Sequence, residues 1–378
     1  MQKIELSVCY MVKNEAENLP VSLASIKDAA DEVVVVDTGS QDNTKEIAAA
    51  IGARVYDFPW QDDFSAPRNY AIEQAQGEWI LFLDADEYFP SALNKDKLLC
   101  YLAGQKEKDA ILLLRYNIEN DKERKDWRTD WCLRIFRNVP YLRYKGRIHE
   151  NIARHNGELQ VAYAPTEWYL YHTGYKKELN EAKAQRNLRL LQQSIREEGW
   201  QPGYDLYLMD CYYGLQEYEK ALQHGMSLLR GDCYVYGGMV HVYHMILECM
   251  RFLHRPDEDM LPFAQEACRE YPDIPEFYGE QGMILCGMGQ LIQARQLLID
   301  ALLRYEERQA KGQLDGYFSP VVAAKVAARL GEIAMHYEDE EEAAFWFRQA
   351  MTYCDNSEVV LMKYQKYRQW AAEKGLEP

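Results

Sequence analysis

Gly77-Glu-Trp-Ile-Leu-Phe-Leu-Asp84-Ala-Asp86-Glu87 decides how this chain is read. Trp79 to Leu83 is an unbroken apolar run of strand length, as expected of a strand covered on both faces of its sheet. The run stops abruptly in the acids Asp84, Asp86 and Glu87. Acids at the carboxyl end of a buried parallel strand sit where α/β sheets place their ligands. Asp84 and Asp86, one residue apart, offer oxygens to a single hard cation that keeps its other positions for water and substrate phosphates. An isolated D-x-D also reads as an acidic turn leading into a helix, so the neighbouring strands must decide between the two.

Upstream, Leu6 to Val12 reads as a short buried strand that ends in Lys13-Asn14-Glu15, with a helix from about Leu19 to Ala30. Val33 to Val36 is a central strand running into Asp37-Thr38-Gly39-Ser40-Gln41-Asp42-Asn43-Thr44, and a helix follows from Thr44 to Ile51. Small polar residues between a strand and a helix N-terminus suit an anionic or hydrogen-bonding ligand. Arg54 to Phe58 is the next strand, and Asp62-Asp63-Phe64-Ser65-Ala66-Pro67-Arg68-Asn69 opens a helix with Pro67 in its first turn. This alternation predicts a doubly wound α/β domain. Glu15, Asp37 and the Asp84 cluster then fall on one edge of a parallel sheet. Three acidic strand ends facing one crevice make a site.

Downstream of a strand at Ile111 to Leu114, the stretch from Asn117 to Arg147 is polar and aromatic, with Trp127, Trp131, Arg128, Arg134, Arg137, Arg143 and Arg147. It reads either as an irregular solvated surface or as a lid for a polyanionic leaving group. Arg147-Ile148-His149-Glu150 follows, and then His172, directly after the aromatic run Trp168 to Tyr171. His172 is either a satisfied core histidine or a third metal ligand turned toward the acidic crevice. From Lys176 onward the chain consists of helix formers. Leu330-Gly331 with Ala343, Phe347 and Ala350 matches the tetratricopeptide spacing, as do Gly282, Leu291, Ala294, Leu298 and Ala301. This half is expected to stack paired helices into a short solenoid. The tyrosines between Tyr204 and Tyr218 fall at helical spacing, which favours packing between repeats over stacking on a ligand.

At 378 residues the chain exceeds one comfortable core, so two domains are expected, 1–175 and 176–378. The formal net charge of −17 argues against nucleic acid or an anionic membrane surface as a bulk partner. The nine cysteines are scattered without a C-x-x-C, which indicates neither a zinc knuckle nor a disulfide framework. No signal-like N-terminal region and no apolar run of membrane-spanning length stand out, so a soluble, cytoplasmic protein is expected.

Cys9 to Glu15, Val36 to Thr44, Trp60 to Asn69, Gly77 to Glu87, Ile148 to Glu150 and His172 to Tyr175 occur in an order that resembles the family 2 glycosyltransferases. The resemblance is to the bacterial branch with C-terminal tetratricopeptide repeats, similar to lipopolysaccharide-core glucosyltransferases and bacteriocin peptide S-glycosyltransferases. It implies an α/β GT-A (Rossmann-like) domain followed by an all-α tetratricopeptide-like helical repeat domain. It further implies that Glu15 and Asp37 contact the base and ribose of a nucleotide, most often uridine, and that Arg68 lies near the nucleotide or its phosphates. Asp86, with Asp84 close by, would hold Mg²⁺ or Mn²⁺ against the diphosphate, with His172 completing the metal shell. Pro67 departs from the alanine usual before Arg-Asn, but it suits a first helical turn and leaves Arg68's role in place.

The implied reaction is an inverting transfer from a nucleotide diphosphate sugar, probably UDP-linked, to a peptide or protein side chain or to a cell-envelope glycan. Charge builds on the departing diphosphate, which a metal ion offsets. The acceptor must lose a proton to a carboxylate or histidine within hydrogen-bond reach. Glu150, oriented by His149, is the expected base, with Asp126, Asp130 and Glu87 as rivals. The repeat half is expected to position the acceptor or to form a homo-oligomer. The alternative is a tetratricopeptide scaffold with a non-catalytic nucleotide-sugar-binding domain. A nucleotidyltransferase fits poorly, because no glycine precedes Gly39 to form a phosphate loop after the first strand.

Overall fold

A computed structural model describes residues 4–118, 128–173, 180–201, 203–231, 239–311 and 318–376. The chain divides into two compact units, the first running to Trp200 and the second from Gln201 onward. The first contains β1 (Leu6–Val12), α1 (Leu19–Ile26), β2 (Glu32–Asp37), α2 (Thr44–Ala50), β3 (Arg54–Asp57), α3 (Ser65–Gln74), β4 (Trp79–Leu83) and β5 (Glu87–Tyr88). It continues with α4 (Lys95–Gly104), β6 (Ala110–Asn117), β7 (Arg128–Arg137), β8 (Leu142–Lys145), β9 (Asn151–Arg154), β10 (Val161–Tyr163), β11 (Tyr169–His172) and α5 (Asn180–Glu198).

The main sheet runs β3-β2-β1-β4-β7-β6-β11-β5, with β10 beside β6 and a separate β8-β9 hairpin. Strands β3, β2, β1 and β4 are parallel, with Val12 opposite Asp37 and Tyr10 opposite Leu83. Their carboxyl ends therefore share one edge, as expected. β7 enters antiparallel against β4, so the sheet is mixed and not wholly parallel. The Asn117 to Arg147 stretch, read from sequence as an irregular surface or lid, thus supplies an interior strand. β7 can lie there because Ile135 packs into the core on one face of the sheet and Phe136 into the core on the other.

The apolar run of β4 divides the same way. Trp79, Leu81 and Leu83 face the core beneath α1 and α4, while Ile80 and Phe82 face Ala71 and Ile72 of α3. All five are buried, at about 1.5–3 kcal/mol for each large side chain. Gly77 permits this close packing, because a Cβ there would lie 2.6 Å from both the backbone nitrogen and Oγ of Ser7 in β1.

Helix α5 falls in the first unit, which therefore reaches 25 residues beyond the expected boundary at 175. Arg189 of α5 pairs with Asp62, and Arg147 pairs with Glu197 of α5. An amphipathic helix looks alike at the edge of a sheet domain and at the start of a repeat, so composition alone does not place this boundary.

The second unit is all helical: α6 (Tyr204–Gly214), α7 (Tyr218–Arg230), α8 (Val240–Phe252), α9 (Asp257–Glu270), α10 (Pro275–Gly287), α11 (Leu291–Ala310), α12 (Pro320–His336), α13 (Glu340–Tyr353) and α14 (Glu358–Glu373). Consecutive helices pack as pairs, most extensively α12 on α13 and α10 on α11. The repeat-spaced residues sit at these contacts: a Cβ on Gly331 would lie 2.6 Å from the Phe347 ring, and one on Gly282 2.7 Å from Leu298. Tyr218 stacks on Phe252 at 4.5 Å and meets Tyr213 edge-on, which is packing between helices. The chain is thus a GT-A-like mixed-sheet domain followed by tetratricopeptide-like helices. Among the described residues, no helix is long and apolar enough to cross a membrane.

Candidate active site

β2 delivers Asp37 to the carboxyl edge of the sheet almost fully buried. Its Oδ1 accepts the N–H groups of Gly39 and Ser40 at 2.9 and 2.8 Å, a loop made possible by Gly39 at φ 111°. Its Oδ2 is buried without a hydrogen-bond partner. A buried carboxylate oxygen left so costs about 1–3 kcal/mol, which marks it as an acceptor awaiting a ligand's donor. Glu15, past the end of β1, accepts from Asn18 Nδ2 at 2.8 Å, and its N–H donates to Thr44 Oγ1. Burial raises the Glu15 carboxyl against the Asn18 hydrogen bond, and the Asp86, Asp84 and Asp42 charges push it further the same way. That mutual repulsion puts Glu15, Asp84 and Asp86 in one electrostatic neighbourhood.

After β4 the chain turns tightly, with the Glu87 N–H donating to the Asp84 carbonyl at 3.0 Å. The two members of D-x-D then diverge. Asp84 Oδ1 accepts from Arg68 Nη2 at 2.8 Å, and Oδ2 accepts from Arg134 Nη2 at 2.7 Å. Burial alone would raise the Asp84 carboxyl, but the Arg68 and Arg134 guanidiniums hold it well below the usual carboxylate range. Asp86 instead faces His172, whose Nε2 lies 3.3 Å from Asp86 Oδ2. The Thr173 N–H fixes the Asp86 carbonyl at 3.1 Å.

Asp86 and His172 are therefore brought together, while both oxygens of Asp84 are engaged by guanidiniums. Among the described residues no three His, Cys, Asp or Glu side chains converge on one point. A pair of donors still suits Mg²⁺ or Mn²⁺, which take much of their shell from water and phosphate oxygens. The donor chemistry fits as well: imidazole Nε2 and a carboxylate oxygen face each other with little but a proton or a cation able to lie favourably between them.

Arg68 is buried between the rings of Phe82 and Tyr144, with its Cζ 4.8 and 5.3 Å from their centroids. Its Nε donates to Glu150 Oε1 at 2.7 Å, so Arg68 ties the β4 turn to the predicted base. His149, just before Glu150, adopts left-handed backbone at φ 54°, a conformation few non-glycine residues hold without cause. Among the rival bases, Glu87 is fully buried on Arg134 and Arg115, and Asp130 takes two bonds from Arg115. Asp126 lies outside the described residues, as do Trp127, Gly174, Tyr175 and the Arg128 side chain.

The arginines of this basic stretch, one reading of which is a lid for a polyanionic leaving group, are committed elsewhere. Arg134 serves Asp84 and Glu87, Arg137 caps carbonyls near Lys108, Arg143 binds the carbonyls of Val139 and Leu142, and Arg147 pairs with Glu197. Arg115 and Asn117 of β6 escaped the sequence reading. Period-2 alternation into the β6 strand end, opposite His172, was the signal available for them.

Residues 7–160 match the model of glycosyl transferase family 2. These residues form a family 2 glycosyltransferase domain. Over 154 residues the chain is 42% identical to a TPR repeat-containing protein of Synechococcus elongatus, an alignment covering 39% of this chain and 35% of that protein. The match thus spans about a third of that relative's length. The SPbeta prophage-derived glycosyltransferase SunS of Bacillus subtilis is 25% identical over 334 residues, covering 82% of this chain and 74% of SunS. The crystal structure of S. aureus TarS aligns with a TM-score of 0.37 at 16% identity, covering 66% of this chain and 51% of TarS.

Proposed function

We propose that the glycosyltransferase domain moves a sugar from a nucleotide diphosphate sugar, UDP-linked, to a peptide or protein side chain or a cell-envelope glycan, with inversion at C1. The observation that carries this reading is the parallel register that brings the strand ends before Glu15, Asp37 and Asp84 to one sheet edge, with His172 against Asp86. Asp37 Oδ2 receives a donor hydrogen bond from the nucleoside, and Glu15 closes the same end. Asp86 and His172 would hold Mg²⁺ or Mn²⁺, while Asp84, anchored by Arg68 and Arg134, stiffens the turn that presents Asp86. When bound, such an ion draws off charge developing on the departing diphosphate as a Lewis acid.

Arg68 fixes Glu150 through Oε1, which leaves Oε2 to take the acceptor's proton. The acceptor oxygen or sulfur bonds to C1 as the C1–O bond to the diphosphate breaks, a single displacement that inverts the centre. The repeat unit is assigned to positioning the acceptor or to self-association.

Incubating the protein with a panel of nucleotide sugars and Mn²⁺, and measuring released nucleotide, tests the reading. UDP release that Asp86→Ala and chelation both abolish is expected. Release from no nucleotide sugar, or release indifferent to both treatments, overturns it.

A further inference from the structure

His172 and Asn117 end adjacent parallel strands and stand directly opposite in register, at the carboxyl edge where Asp86 lies. The imidazole Nδ1 is 2.8 Å from Asn117 Oδ1. Which atom carries the proton follows from what holds the amide. Asn117 Nδ2 points at Asp130 Oδ2, 3.5 Å away, and a carboxylate can only accept. Asp130 is itself locked by two bonds from Arg115, at 2.9 and 2.7 Å. Arg115 in turn reaches buried Glu87 at 3.0 Å. Turning the amide over would set its carbonyl oxygen against that carboxylate. The amide oxygen therefore faces the ring, and Nδ1 must be the N–H that donates to it. In the neutral ring, Nε2, on the side of Asp86, is then left with the lone pair.

We infer that Asn117 is a positioning residue: held by the Asp130–Arg115 pair, it fixes His172 in the Nδ1–H tautomer and so presents Nε2 and Asp86 together as cation donors. The inference rests on the reading of Asp86 and His172 as the metal-holding pair, and it adds the device that sets their chemistry. In the opposite tautomer Nε2–H would donate to Asp86 and both donors would be spent on each other. A ligating histidine whose second nitrogen is pinned by an outer partner typically loses about 10- to 100-fold in metal affinity when that partner is removed.

The test uses the full chain with ¹⁵N-labelled histidine, metal-free, at about pH 8.5, where ordinary imidazoles are neutral. Two-bond ¹H–¹⁵N correlations distinguish the two neutral tautomers, with His172 assigned by the signal lost in His172→Gln. Mn²⁺ affinity is measured in parallel from the free-ion electron paramagnetic resonance signal. Wild-type protein should show Nδ1–H at His172. Asn117→Leu, which neither donates nor accepts, should lose that tautomer preference and bind Mn²⁺ about 10- to 100-fold more weakly. A wild-type Nε2–H tautomer overturns the inference whatever the variants do, so a poorly folded Asn117→Leu leaves it decidable. So does an Asn117→Leu protein with the wild-type tautomer. Wild-type protein that binds no Mn²⁺ but shows the Asn117-dependent tautomer would sink the metal reading and leave the positioning role standing.

Discussion

Around the carboxyl edge of the sheet, Glu87, Asp37 and Arg68 are only 0, 1 and 6% exposed, and Arg134 bridges two carboxylates. In α12 of the repeat unit the buried residues include Ala323, Ala324, Ala327, Leu330 and Ile333, which share one apolar cluster with Phe347. The α12–α13 contact is held mainly by apolar packing. The sheet edge holds charges out of water, where desolvation offsets most of what pairing contributes. Such a network is costly to disturb at any one member, and it holds Asp84 and Glu150 in a geometry that surface side chains could not maintain. The α12–α13 contact is a packing problem solved with small residues against an aromatic ring; the sheet edge trades stability for orientation.

The largest effect should come from breaking the charged region. Arg134→Met leaves Asp84 and Glu87 buried with one cation fewer and should cost about 3–5 kcal/mol in denaturant unfolding of the first unit. A loss below about 1 kcal/mol would mean the network is already wet and the contrast with the repeats is overstated. Phe347→Ala strikes the packed region instead. It should cost about 3–4 kcal/mol through the cavity left beside Gly331, while nucleotide binding, followed by calorimetry, stays unchanged.

Asp86→Asn separates function from stability within the same edge. Transfer should fall by about a hundredfold or more, with the thermal midpoint within a degree or two of wild type, since Asp86 is bonded to no guanidinium among the described residues. A large drop in midpoint would class Asp86 with Asp84 as a structural acid.

The smallest effect is on stability and runs upward. The Glu15 carboxyl is raised in the folded protein, so folding favours its protonated form. That stabilisation is full below the ordinary glutamate value and is lost as pH rises through the raised folded value. At neutral pH Glu15→Gln should therefore raise the thermal midpoint slightly while weakening nucleotide binding. The gain should vanish in acid, where wild-type Glu15 is itself neutral. A fall in midpoint at neutral pH would place Glu15 outside the repelling cluster.

Much of the site was legible along the chain, because a parallel strand's carboxyl end is a local feature. The apolar runs at Leu6, Val33 and Trp79 each stop in acid, and adjacency in a parallel sheet does the rest. The Asn117 to Arg147 stretch was not legible. Its arginines look like a free basic surface until β7 is seen threading between β4 and β6, where Arg134 finds Asp84 and Glu87. Helix α5 misled for a related reason, since its anchors Asp62 and Arg147 are distant in sequence.

The sequence by itself determined that strands alternating with helices would be followed by helical repeats, and that Glu15, Asp37 and the Asp84 cluster would share an edge. Those properties follow from periodicity and from the direction of parallel strands, which neighbouring residues encode. Only the tertiary structure decided that Asp84 goes to arginine and Asp86 to histidine. The partners that separate them, Arg68, Arg134 and His172, come from three distant segments, and burial makes each pairing obligatory only once those segments meet.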